Sequence, residues 1–126
     1  ASHARFGKTK RTAPMFAAAG TIYVYLTYGM HWMFNISCRE EGKPSAVLIR
    51  SVEGISGPAR TAKAFGISGE ISGMMIGRSS GLWIEDRGMN IPRSQIASTG
   101  RIGVEYAGEW SRKPLRFVIV SPVCQK

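Results

Sequence analysis

The stretch Gly20-Thr-Ile-Tyr-Val-Tyr-Leu-Thr-Tyr-Gly-Met-His-Trp-Met-Phe-Asn-Ile-Ser37 carries a strand's alternation, broken at Tyr28-Gly29-Met30-His31 by a single glycine. Ile22, Val24 and Leu26 fall on one strand face and Tyr23 and Tyr25 on the other, so the segment predicts a β-hairpin that reverses at Gly29. Turns ordinarily carry Asn, Asp, Gly or Ser. Tyr, Met and His around one Gly instead present a large apolar tip, which costs solubility unless a partner covers it. Proteins that enter the minor groove push wedges of this kind between base steps. Tyr23 and Tyr25 also have a plainer reading, as the packed face of an ordinary strand.

Outside the hairpin, composition narrows the class. A chain of 126 residues with 44% hydrophobic content predicts one domain with a modest core. The 17 Lys and Arg against 8 Asp and Glu leave a formal charge of +9, which points to a polyanionic partner, nucleic acid first. An anionic membrane surface is the competing partner, but no run is apolar enough to span a bilayer and no basic amphipathic helix stands out. Cys38 and Cys124 are too isolated for a zinc site and are expected as reduced thiols. His3 and His31 have no paired ligand spacing, so neither a metal nor any other cofactor is expected. The chain opens Ala-Ser-His without Met or a signal-type run, which gives no support to a targeting segment and reads as a cut start.

Along the chain, Arg5, Lys8, Lys10 and Arg11 surround a Gly and a Thr in a basic loop suited to phosphates. A helix over residues 4 to 19 is possible but poorly patterned. Ala46 to Val52 predicts a central strand, apolar on both faces, which leaves Arg50 as a charge in need of a partner. Ser56-Gly57-Pro58 through Phe65 and Gly66 has a helix's start and stop signals. Ile67 to Ser80 reads as loop, Leu82-Trp83-Ile84 as a short strand, and Ile91 to Thr99 as connecting chain. Arg101 to Tyr106 and Leu115 to Val120 predict two further strands. The sum is an α+β chain with a curved, mainly antiparallel sheet, a protruding hairpin and few short helices.

The ordered blocks Ala1-Ser2-His3, Thr9-Lys10-Arg11-Thr12, Met15-Phe16, Gly20 with Tyr23-Val24-Tyr25, Tyr28-Gly29-Met30-His31 with Asn35, Ala46 to Arg50, Gly57-Pro58, Arg101 to Val104, Ala107 to Trp110 and Arg116-Phe117 resemble the alkyladenine (3-methyladenine) DNA glycosylase family nearly end to end. The resemblance implies a monofunctional enzyme of base-excision repair that flips an alkylated or deaminated purine out of duplex DNA and hydrolyses its N-glycosidic bond with an activated water. Tyr28 matches the side chain that replaces the flipped nucleotide in the stack, and Met30 and His31 join it in facing DNA. His3 and Tyr25 match the aromatic walls of the base slot, and Asn35 matches a residue beneath the base that senses its exocyclic group. Arg50 and the Val104 carbonyl match the positions that hold the nucleophilic water. Further implications are a duplex-DNA partner bearing a damaged purine, no membrane, a monomer, and a cytoplasmic, nucleoid-associated location.

The family's general base is a glutamate upstream of the Ala-Ser-His block, outside these 126 residues. The acids present do not obviously replace it: Glu40 and Glu41 fall in a turn, Glu85 and Asp86 end the expected short strand, and Glu109 belongs to the Trp110 block. Glu53 follows Arg50 by three residues, but alternation directs the two to opposite faces, and an ordinary ion pair suits Glu53 better. Two further readings therefore stay open. One is a catalytically inactive module that binds damaged DNA. The other is a single-strand or RNA binder that uses Tyr23, Tyr25 and Tyr28 as stacking platforms, which leaves Arg50 unexplained.

Overall fold

The computed structural model describes residues 7–102 and 108–120, so His3, Arg5 and Val104 lie outside the described residues. The architecture is α+β, with short antiparallel sheets and few short helices. The described chain falls into two compact units, one ending at Glu85 and the other beginning at Asp86.

In the first unit, β1 (Ile22–Thr27) pairs antiparallel with β2 (His31–Ile36), with Ile22 opposite Ile36 and Thr27 opposite His31. The expected hairpin forms because its alternation matches the pleat on both arms. Ile22, Val24, Phe34 and Ile36 share one face and build the core with Ala62 and Ile67. β3 (Val47–Leu48) follows β2 antiparallel, Asn35 opposite Leu48. The expected long central strand from Ala46 to Val52 is broken: β3 is the last strand of its sheet among the described residues, and Val47 is exposed. The chain then turns into a separate ribbon of β4 (Ser51–Val52) and β5 (Ile55–Ser56).

The helix α1 (Pro58–Ala64) appears where its signals stand. Gly57, at φ +99, precedes Pro58 in the first turn, where a missing N–H costs nothing. At the other end Gly66 takes φ +65; its N–H donates to Lys63 O at 3.1 Å and Ile67 N–H donates to Ala62 O at 2.9 Å. That is a Schellman cap, and it carries Ile67 straight into the core beside Ala62. The free edge of β1 is covered by residues 73–76: Ile22 N–H donates to Met74 O, Gly73 N–H to Ile22 O and Ile76 N–H to Gly20 O, each at 2.8 Å. Leu82-Trp83-Ile84 is not the strand expected from its apolar run, since only Leu82 bridges, to Gly77. Among the described residues 7–19 there is no α-helix; a single 3-10 turn, Ala13–Phe16, lies there with Met15 buried.

In the second unit, β6 (Ile96–Thr99) pairs antiparallel with β7 (Arg116–Ile119), and α2 (Glu109–Arg112) is one helical turn. β6 replaces part of the expected connecting chain. Its Ala-Ser-Thr composition carries no alternation, and its pairing partner lies some twenty residues away.

Ile22 is fully buried at the centre of the first unit. Its replacement by Ala is expected to cost ~2–5 kcal/mol, a large part of a typical ~5–15 kcal/mol total. Urea unfolding checks this: a midpoint shift of ~1 M or more is expected, against little change for Leu26→Ala at the exposed end of the same face. Equal effects at the two positions would mean that this cluster does not hold the unit together.

Candidate functional site

At the hairpin tip Thr27 O accepts from Met30 N–H at 3.1 Å, with Tyr28 at φ +54 and Gly29 at φ +69. Positive φ at both central positions marks a type I′ turn, whose twist matches the strands but whose first position rarely holds a bulky side chain. Among the described residues Tyr28 is the sole non-glycine at positive φ. It pays ~1–2 kcal/mol for that conformation and is still 92% exposed, so the strain gains no burial. Met30 and His31 beside it are exposed as well. The geometry is that of an exposed aromatic side chain at the tip of a two-stranded arm.

Behind the tip, the face opposite the core gathers the other candidates. Tyr23 stands across from Asn35, and Tyr25 across from Met33. Tyr23, Met33 and Asn35 are buried and Tyr25 is half-buried. The two tyrosine rings lie 5.3 Å apart at an interplanar angle of 38°, a tilted aromatic pair. The Asn35 side-chain amide donates to Tyr23 O at 3.3 Å and Met33 O at 3.2 Å, which fixes its plane against the sheet. Ile49 packs against the core and its N–H donates to Phe34 O at 3.0 Å; the half-buried Arg50 follows it in the break between β3 and β4. Tyr25 and Asn35, ten residues apart in sequence, share one side of the sheet.

The N-terminal segment reaches the same face. Thr9 and Thr12 clasp each other, Thr9 N–H donating to Thr12 Oγ1 at 2.9 Å and Thr12 N–H to Thr9 Oγ1 at 3.2 Å. The 3-10 turn that follows is tied down by Gly42 N–H to Phe16 O at 2.7 Å and Ser45 N–H to Met15 O at 3.1 Å. Lys8, Lys10 and Arg11 are all exposed. Arg11 differs in its contact: its Cζ lies 5.7 Å from the centroid of the Tyr25 ring. Burial raises the Tyr23 pKa above its ordinary value, the Arg11 charge lowers it in part, and Tyr25 raises it again. Tyr23 is therefore a neutral donor or acceptor at any physiological pH. The Arg11 contact was not legible in the sequence, because it depends on where the turn after Arg11 docks.

The hairpin's other face forms a groove of about 280 Å³ in which Met30, His31 and Trp32 oppose Ala62, Lys63 and Ile67. Glu53 occupies the tip of the β4–β5 turn with Gly54, exposed, which suits no role as a base in a shielded site. Glu40 pairs instead with Lys43 at 2.8 Å, and that hydrogen bond lowers its pKa. Among the described residues no three His, Cys, Asp or Glu come together as metal ligands, and no helix is long and apolar enough to cross a membrane.

A family model described as methylpurine-DNA glycosylase matches residues 1–122. A relative from Anaeromyxobacter sp. (strain Fw109-5), named "Putative 3-methyladenine DNA glycosylase", is 39% identical over 94% of this chain and 64% of its own length. Relatives of the same name from Bdellovibrio bacteriovorus, at 36% identity over 89% of this chain and 66% of the relative, and from Myxococcus xanthus, at 38% over 93% and 64%, are similar to it in the same way. The chain spans just under two thirds of the length of these relatives.

Proposed function

The chain belongs to the methylpurine-DNA glycosylase family, and from that premise we propose that it supplies the DNA-distorting and base-recognising part of an enzyme that excises alkylated or deaminated purines. The observation that carries the reading is the tip: a strained Tyr28, 92% exposed, at the end of an arm whose rear face presents Tyr25 and Asn35. In this reading Tyr28 enters the stack and takes the place of the flipped nucleotide, which lowers the unstacking cost of a few kcal/mol. Met30 and His31 follow it against the groove wall, while Lys8 and Lys10 neutralise phosphates. The extruded purine stacks on Tyr25, with His3 as the opposite wall, and Asn35 reads its exocyclic edge.

Hydrolysis then builds positive charge on the sugar, which a nearby carboxylate stabilises while it takes a proton from the attacking water. Arg50 and the Val104 carbonyl hold that water in this reading: the guanidinium donates to its oxygen and the carbonyl accepts from it. Arg50 has no lone pair to accept the proton. The carboxylate is the glutamate that the family resemblance places before Ala1. The substrate partner is duplex DNA, and the protein acts as a monomer in the cytoplasm, at the nucleoid.

Base release from a duplex with one hypoxanthine or alkylated adenine tests the reading, with this chain and a form extended upstream run side by side and duplex binding measured for both. Release by the extended form, with lesion preference in both, is the expected result. Lesion preference without release in either would make the protein a damage binder. Equal affinity for damaged and undamaged single strands would favour the stacking-platform reading instead.

A further inference from the structure

Lys8, Lys10 and Arg11 belong to one basic loop in sequence, yet the fold treats Arg11 differently. All three are exposed, but the Arg11 guanidinium lies 5.7 Å from the Tyr25 ring centroid, inside the range of a cation–π contact. The same charge acts on the buried Tyr23 phenol next door. A permanent positive charge therefore sits at the aromatic cluster itself.

We propose that Arg11 is a specificity-determining residue that tilts the Tyr25 slot toward neutral purine lesions and against cationic, N-alkylated ones. The inference rests on the reading of Tyr25 as a wall of the base slot. An aromatic ring free of cations attracts a cationic base beyond ordinary stacking. A ring already engaged by guanidinium offers a second cation less, since the two share one quadrupole and repel. A neutral base meets no such term and keeps its stacking on the ring. A purine stacked on the far face of Tyr25 lies on the order of 9 Å from the guanidinium. At an effective dielectric constant of ~20 that separation disfavours the cation by about tenfold at ~10 mM salt, and by about threefold at physiological salt, where the Debye length is ~8 Å.

The test is equilibrium binding of the whole chain and of Arg11→Gln, Arg11→Lys and Lys8→Gln to duplexes carrying 7-methylguanine (cationic), hypoxanthine (neutral) or no lesion. The lesion nucleotides carry a 2′-fluoro sugar, which resists hydrolysis. Arg11→Gln should raise affinity for 7-methylguanine relative to hypoxanthine by about tenfold at low salt, with the gain shrinking as salt rises. Arg11→Lys, which keeps the charge, should hold the ratio near that of the parent, and Lys8→Gln should weaken all three duplexes alike. If Arg11→Gln instead weakens all three by one common factor and lowers the logarithmic salt slope by about one, Arg11 is a phosphate contact and the proposal is wrong. A folded Arg11→Gln with intact lesion preference and an unmoved ratio overturns it equally. Failure of the parent chain to prefer either lesion over undamaged duplex would bring down the base-slot reading itself, and the inference with it.

Discussion

Replacement of Tyr28 by Asn is expected to remove most of the preference for lesion-bearing duplex while leaving the fold as stable as before or more so. The two effects have opposite signs for one reason, the φ of +54 at an exposed position. Asn tolerates the left-handed region, so the substitution relieves up to ~1 kcal/mol of strain and gives up no core contact. A base stacked on an aromatic side chain is worth ~1–3 kcal/mol, so loss of the wedge should weaken lesion binding by about 10- to 100-fold. Tyr28→Phe keeps the ring and should bind like the parent. Salt-dependent binding to undamaged duplex, assigned to Lys8 and Lys10 in the proposed function, should hardly change. Melting temperature and lesion affinity measured on the same sample separate the roles. A Tyr28→Asn protein that melts no lower and still prefers the lesion would remove the wedge from the mechanism.

How far this was legible without a structure depends on whether the relevant signal is local. The hairpin was legible because both arms alternate and only Gly29 interrupts them, and α1 was legible because Gly57-Pro58 and Gly66 bracket it. β6 was not, because Ile96-Ala-Ser-Thr99 carries no period and becomes a strand only against Arg116–Ile119. Leu82-Trp83-Ile84 misled in the opposite direction, an apolar run whose Trp83 and Ile84 stay exposed in this unit and pair with no strand. The gathering of Tyr25 and Asn35 on one face followed from alternation once the register was known. The position of Arg11 followed from nothing local. Its neighbours Lys8 and Lys10 have the same charge and the same surroundings in sequence, and only the docking of the 3-10 turn through Met15 and Phe16 separates them.

Arg50 carries the other large expected effect, and its fixed charge sets the form of the result. A guanidinium has donors only, so it can hold a water by its oxygen but cannot take a proton from it. In the proposed site it is also a cation near a sugar that becomes positive, so its proposed use there runs only through the water and the carboxylate it would align. Those alignments matter in the transition state more than in the bound complex. Arg50→Gln in the protein form that releases base should therefore slow single-turnover release by about 10²-fold and leave lesion binding within a few-fold of the parent. Arg50→Lys retains the charge without the planar fork and should recover only part of the rate. Arg50 is half-buried, so each variant's unfolding midpoint must accompany its rate. A parallel loss of binding and release would make Arg50 a support for the base slot. An unchanged rate in a folded Arg50→Gln protein would move the water to another residue.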